Sequence, residues 1–153
     1  MKNKYFEDED LTQNDLFFVC YMIERVARKT KQHNSYVVNK IGKEKLYHLL
    51  SSAQVLHSLN PLQVEEDFIN DFNLEFGDFD ISNVDKNLCE EIPSATEIGN
   101  VYARLIHSIS DNYVDEITNV YNSDLCKIID NYNTSAYYEP SYVLTRAYVN
   151  NGF

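Results

Sequence analysis

Apolar residues recur three or four positions apart in the first part of the chain. The clearest series before residue 30 is Leu16, Val19, Cys20, Ile23, Val26 and Ala27. This spacing places one apolar stripe along a helix, so we expect a helix from about Gln13 to Lys29 with Thr12 as its N-cap. Residues 1–10 are charged, show no such period and are expected to fray.

The middle of the chain carries further helical patterns and then loses its period. A short helix is predicted over 36–41, and Gly42 ends it because glycine tolerates a left-handed conformation. The next helix is predicted over 43–58 from Leu46, Leu49, Leu50, Ala53 and Leu56. The Asn60-Pro61 step is a start signal for another helix, since asparagine caps and proline suits the first turn. From 73 to 93 no period remains, and we expect a long acidic loop.

The last sixty residues return to helical spacing. Ser94 and Glu97 form a capping-box pattern, and Ile98, Tyr102 and Leu105 lie on one face of the helix that follows. A similar spacing of apolar residues over 114–132 is typical of one long helix or of two helices separated by a break at Asn122-Ser123. A final short helix is predicted over 141–149.

These patterns favour an all-α fold, an orthogonal bundle of about six to eight helices with the acidic loop near 73–93. The length of 153 residues suits a single domain, 1–153. Two subdomains, 12–72 and 94–153, joined by the loop are the alternative organisation.

The charge of the chain is uneven along its length. Lys and Arg total 13 against 24 Asp and Glu, a net charge of −11. This balance argues against a protein that coats nucleic acid or an anionic membrane. The segment 25–45, however, holds seven basic residues and one acid, a local charge of +6. It is either a docking patch for an acidic partner or phosphates, or a surface that pairs with the chain's own acids.

The same segment has the outline of a helix-turn-helix, so a DNA-binding regulator using 25–45 is the alternative function. The second helix of that outline brings Leu46, Tyr47 and Leu49 where polar base-reading side chains would be needed. The sequence therefore disfavours nucleic acid as the partner.

No pattern of catalytic or metal-binding residues is present. Glu44 and His48 stand four apart, but a zinc site needs three or four ligands and no second pair follows. The acidic stretches 71–82 and 78–89 lack the glycine and the final glutamate of a calcium-binding EF-hand loop. Cys20 and Cys126 lie among apolar residues of their helices and are predicted to be core residues. We therefore expect no catalytic residue, no metal, no cofactor and no enzymatic activity.

The three cysteines do not suggest a disulfide framework, because an odd count and the absence of a CxxC pair favour free thiols. The longest apolar run is Leu16 to Ile23, far short of the roughly 20 residues that span a bilayer. The first residues show no secretory signal. These features predict a cytoplasmic protein with no membrane contact.

Tyrosines concentrate at the end of the chain, where five of the twelve lie in the final 22 residues. Tyrosine combines a large apolar area with a hydrogen-bonding end. Such a cluster therefore either forms a binding surface or covers the C-terminal part of the hydrophobic core. We predict that another protein is the partner. The predicted contact residues are Arg28, Lys29, Lys31, Tyr137, Tyr138 and Tyr142.

One part of the chain resembles known bacterial sequences. The segments FFVCYMIE at 17–24, VLH at 55–57 and VEEDFI at 64–69 are similar to a small, uncharacterised helical domain family of bacteria. The resemblance covers residues 14–72. Members of that family are often encoded beside small ADP-ribosyltransferase-like proteins, which implies toxin–antitoxin pairs. The resemblance thus implies a non-enzymatic antitoxin or immunity-type protein, and it offers no site residues.

Overall fold

Helices form all the regular structure of this protein apart from one isolated bridge between Lys2 and Asp10. The computed structural model describes all 153 residues. The helices are α1 (Gln13–Thr30), α2 (Asn34–Ser51), α3 (Ala53–His57), α4 (Pro61–Asp71), α5 (Ala95–Ile109), α6 (Tyr113–Tyr121), α7 (Asp124–Asp130) and α8 (Ser141–Asn150), with 3₁₀ turns at Tyr132–Thr134 and Ala136–Tyr138. The prediction of an all-α bundle of six to eight helices is confirmed. None of the helices is both long and apolar enough to cross a membrane.

Local capping signals fix several helix starts as the sequence predicts. The Thr12 hydroxyl accepts from the Asp15 amide, and the Asp15 carboxylate accepts from the Thr12 amide at 2.8 Å. The Ser94 hydroxyl accepts from the Glu97 amide at 3.1 Å, so α5 begins where its capping pattern indicates. The apolar pattern over 114–132 forms two helices, α6 and α7, with the break at Asn122-Ser123.

The second helix departs from the prediction. It begins at Asn34 and runs to Ser51 as two helical pieces that meet at a kink at Gly42, whose φ of 79° is non-helical, so the predicted break at this glycine is confirmed. The predicted continuous helix over 43–58 is wrong, because the chain breaks at Ser52. The N-terminal segment lies against this break, since the Asn3 side-chain amide donates to the Ser51 carbonyl at 3.0 Å.

The first ten residues are not frayed, contrary to the prediction. Besides the Asn3 bond, the Lys4 amide donates to the Ser51 hydroxyl at 2.9 Å. The Tyr47 hydroxyl donates to the Lys2 carbonyl at 2.8 Å. These hydrogen bonds hold the N-terminal segment against the end of α2, although the sequence of that segment shows no helical period.

The core is one cluster of 38 buried apolar residues built around the α1–α5 pair. Elements before and after the acidic loop pack on each other, α1 on α5 and α2 on α6. Gly99 lies at the closest approach, where an added Cβ would be 2.7 Å from the Tyr21 Cα. Ile98, Tyr102 and Leu105 are fully buried, as their shared face predicts.

The segment between α4 and α5 contains turns and no helix. Part of it is held against the α1–α2 turn: the Gly77 amide donates to the Thr30 carbonyl at 2.8 Å, and the Phe79 amide to the Lys31 carbonyl at 3.0 Å. The Phe79 ring stacks on His33 with centroids 3.7 Å apart. The acidic loop therefore covers one end of the bundle.

Candidate functional site

Two adjoining cavities lie under the acidic loop, between the end of α1, the start of α2 and the end of α7. The inner cavity has a volume of about 250 Å³ and the outer one about 600 Å³. They share the lining residues Asn34, Phe79, Asp80, Ile81 and Asp130. Polar residues outnumber apolar ones in the lining of both cavities, which makes them the first candidate site.

Two acidic side chains and one amide form the floor of the inner cavity. Glu24 of α1 is 1% exposed. The Asn34 Nδ2 donates to Glu24 Oε2 at 3.1 Å and to Asp130 Oδ2 at 2.9 Å. The Tyr102 hydroxyl donates to Asp130 Oδ1 at 2.7 Å. The first residue of α2 thus holds together carboxyls from α1 and α7.

The two carboxyls hold their protons more tightly than exposed acids do. Burial, and then the negative charge of Asp130, raise the pKa of Glu24 to about 8, while Asn34 and Arg28 oppose the shift. Burial also raises the pKa of Asp130, against the hydrogen bonds from Tyr102, Cys126 and Asn34. At pH 7 the buried Glu24 carboxyl therefore favours its neutral form.

The thiols near this floor are poor nucleophiles. Burial raises the pKa of Cys20 to about 12, and it raises that of Cys126 further above its ordinary value. Both cysteines are buried, as their apolar-face positions predict. Beside them the Tyr121 ring stacks on Tyr102 at 4.4 Å, and its buried hydroxyl has no hydrogen-bond partner.

Two of the predicted contact residues line the inner cavity. Arg28 stands one helical turn after Glu24, and its Nη2 donates to the Tyr132 hydroxyl at 3.0 Å. Its Nε is buried and has no partner. Lys31 also lines the inner cavity, whereas Lys29 is exposed and does not. The cavity thus has cationic as well as acidic walls.

The tyrosine-rich end begins at the rim of these cavities. Tyr132 lines the outer cavity and packs edge-on against Tyr137 at 5.3 Å. Tyr137 is only 9% exposed and lies 4.5 Å from Tyr138, measured between ring centroids. Tyr138 is 77% exposed. A row of rings therefore connects Arg28 to the surface, with Tyr137 as the support and Tyr138 as the exposed end.

The outer face of α8 continues this aromatic surface. Tyr142 and Val149 are 65% and 67% exposed, and Arg146 is exposed between them. The Arg146 guanidinium lies 6.0 Å from the centre of the Tyr142 ring. Because these residues are three or four positions apart, they share one side of the helix.

The basic segment 25–45 is partly neutralised within the chain. Arg25 Nε pairs with Glu65 at 2.7 Å, and Lys43 pairs with Asp115 at 3.0 Å. Leu46, which follows the segment in the helix-turn-helix outline, is fully buried. The exposed cations that remain in the segment are Lys29, Lys31, Lys40 and Lys45.

Sequence reasoning missed the acidic floor of the cavities. Glu24 interrupts an apolar helix face, four positions after Cys20, and Asp130 similarly follows Cys126 by four. A charged residue inside a buried stripe is the signal that could have found both. The side chains that meet them, Asn34 and Tyr102, come from distant segments and have no local signature.

Comparison with known proteins gave no match: no family model fits the chain, and no curated protein or solved structure is significantly similar to it. No group of three or more His, Cys, Asp or Glu side chains is placed to hold a metal ion. The site is therefore interpreted from its own geometry.

Proposed function

We propose that this protein is a non-enzymatic protein-binding module of antitoxin or immunity type. Its docking surface is the tyrosine surface, defined as Tyr138, Tyr142, Arg146 and Val149. The observation that carries the proposal is the exposure of two tyrosines, 77% and 65%, on an ordered and packed base.

The base of the tyrosine surface limits the entropy lost on binding. Tyr138 rests on Tyr137, which packs on Tyr132, which in turn binds Arg28. Aromatic rings contribute strongly to the energetics of protein interfaces because they bury large areas and lose few rotamers. Arg28 belongs to this base and supports the surface from beneath.

Charge supplies the second part of the proposal. Lys29 and Lys31 are exposed on a chain whose net charge is −11, so most of the surface repels an acidic partner while this end attracts it. Such an arrangement fixes orientation and raises the association rate more than the affinity.

The resemblance of residues 14–72 to the bacterial domain family supports a toxin as the partner. Family members stand beside ADP-ribosyltransferase-like proteins, so a neighbouring gene product of that kind is the first protein to test.

Co-expression with the neighbouring gene products tests the proposal. We expect one of them to co-purify as a stable complex, with Tyr138→Ala and Tyr142→Ala speeding its dissociation because desolvated anchors act mainly on the dissociation rate. Phe76→Ala is the matched control, since Phe76 is 63% exposed and lies in the acidic loop. The proposal is wrong if no neighbour binds, or if the control weakens the complex as much as the tyrosine variants do.

The DNA-binding alternative rests on the exposed lysines of the segment 25–45. It requires tight binding to the upstream DNA at physiological salt, lost when Lys29 and Lys31 are neutralised and declining steeply with salt. A gel-shift titration distinguishes it from the protein-binding proposal, which expects no such complex.

A further inference from the structure

We propose that the inner cavity is a binding site for a small zwitterion of the α-amino acid class. The ammonium group would lie between Glu24 and Asp130, and the carboxylate would face Arg28 and Lys31. This site is separate from the tyrosine surface, and the inference does not depend on the proposed function.

The acidic floor has capacity for an ammonium group. A carboxylate accepts at about four lone-pair positions. Glu24 is engaged by the Asn34 amide at 3.1 and 3.5 Å, and no cation lies within ion-pair distance of Glu24 or Asp130. Ionising both buried acids without a cation is costly, and a cationic ligand that donates to both removes that cost.

The opposite wall offers donors for an anion. The Arg28 Nε is buried without a partner, although a buried donor is almost always paired in a folded protein. Lys31, which caps the end of α1, lines the same cavity. A ligand carboxylate placed there would accept from the Arg28 guanidinium and the Lys31 ammonium and neutralise both charges, whereas a simple amine would leave both charges uncompensated.

The space above the floor suits a side chain of variable size. The outer cavity of about 600 Å³ adjoins the inner one through Asn34 and Asp130. Phe79 and Ile81 of the acidic loop cover the junction, and Tyr121, with its unpartnered hydroxyl, lines the outer space.

Calorimetric titration of the full chain with the standard L-amino acids, one at a time, tests the site. We expect one or a few of them to bind. The amide and the N-acetyl derivative of the best ligand each remove one charge, and each should bind at least about tenfold more weakly. If no amino acid binds, or if the amide or ethylamine binds as tightly as the free amino acid, the inference is overturned.

Variants of the chain test which residues carry the site. Glu24→Gln and Arg28→Gln should each weaken binding of the best amino acid by at least about tenfold. Arg104→Gln is the matched control, because Arg104 is an exposed cation of α5 that does not line the cavity. An equal loss in the control would contradict the assignment. If a buried variant fails to fold, the derivatives tested on the unaltered chain still decide the outcome.

Discussion

At the scale of single residues, Glu24 couples the stability of the fold to pH. Its pKa is about 8 in the folded chain against an ordinary value of 4.5, so between these values the folded chain keeps a proton that the unfolded chain has lost. The free energy of unfolding should therefore fall as pH rises through this window. Urea denaturation at a series of pH values measures the slope.

The variant Glu24→Gln isolates this effect. Glutamine is neutral at every pH and keeps an acceptor for Asn34. The free energy of unfolding should therefore fall less steeply between pH 4.5 and about 8 than it does in the unaltered chain. Asp130 shifts in the same direction and leaves part of the slope in place. Glu44→Gln, at an exposed position of α2, is the control and should reproduce the slope of the unaltered chain. A Glu24→Gln chain with an unchanged slope would refute the assignment.

Glu24 and Asp130 also show how much of a site can be predicted from a sequence. The apolar stripe of α1 is local, so the burial of the helix face around Glu24 follows from spacing alone. The hydrogen bond that makes this burial tolerable comes from Asn34, ten positions away, and Asn34 in turn donates to Asp130, 96 positions further along the chain. Such partners are set by how the helices pack, which spacing along one helix does not encode.

At the scale of elements, the α1–α5 contact depends on a missing side chain. A Cβ on Gly99 would lie 2.7 Å from the Tyr21 Cα and 2.8 Å from its amide nitrogen, so the two helices would have to separate. Gly99→Ala should destabilise the protein by about 1–3 kcal/mol, the usual cost of overpacking, although alanine is the better helix former. Chemical denaturation measures the change. Arg104→Ala, at an exposed position of α5, is the control and should stay within about 0.5 kcal/mol of the unaltered chain.

Helix ends were predictable where the capping groups are local. Thr12 and Ser94 each bond an amide three residues ahead, so their patterns place the starts of α1 and α5 correctly. The break at Ser52 was not predictable in this way, because the groups that bond Ser51 come from Asn3 and Lys4. Contacts over nearly fifty positions override a helical period that continues through the break.

At the scale of the whole molecule, the two segments on either side of the acidic loop share one core. Helix α1 packs chiefly on α5, and α2 packs on α6, so each segment supplies the apolar face that the other buries. The alternative of two subdomains requires instead that the segments 12–72 and 94–153 each have a hydrophobic core of their own.

Separate expression of the two segments distinguishes these organisations. A chain of residues 1–72 would expose the side of α1 that α5 covers, including the backbone of Tyr21 that meets Gly99. We therefore expect each segment alone to show little helix by circular dichroism and no cooperative melting, since short helices gain most of their stability from tertiary packing. An equimolar mixture of 1–72 and 73–153 should recover helical signal as the α1–α5 contact reforms. A cooperative transition in 1–72 alone would instead establish an independent subdomain.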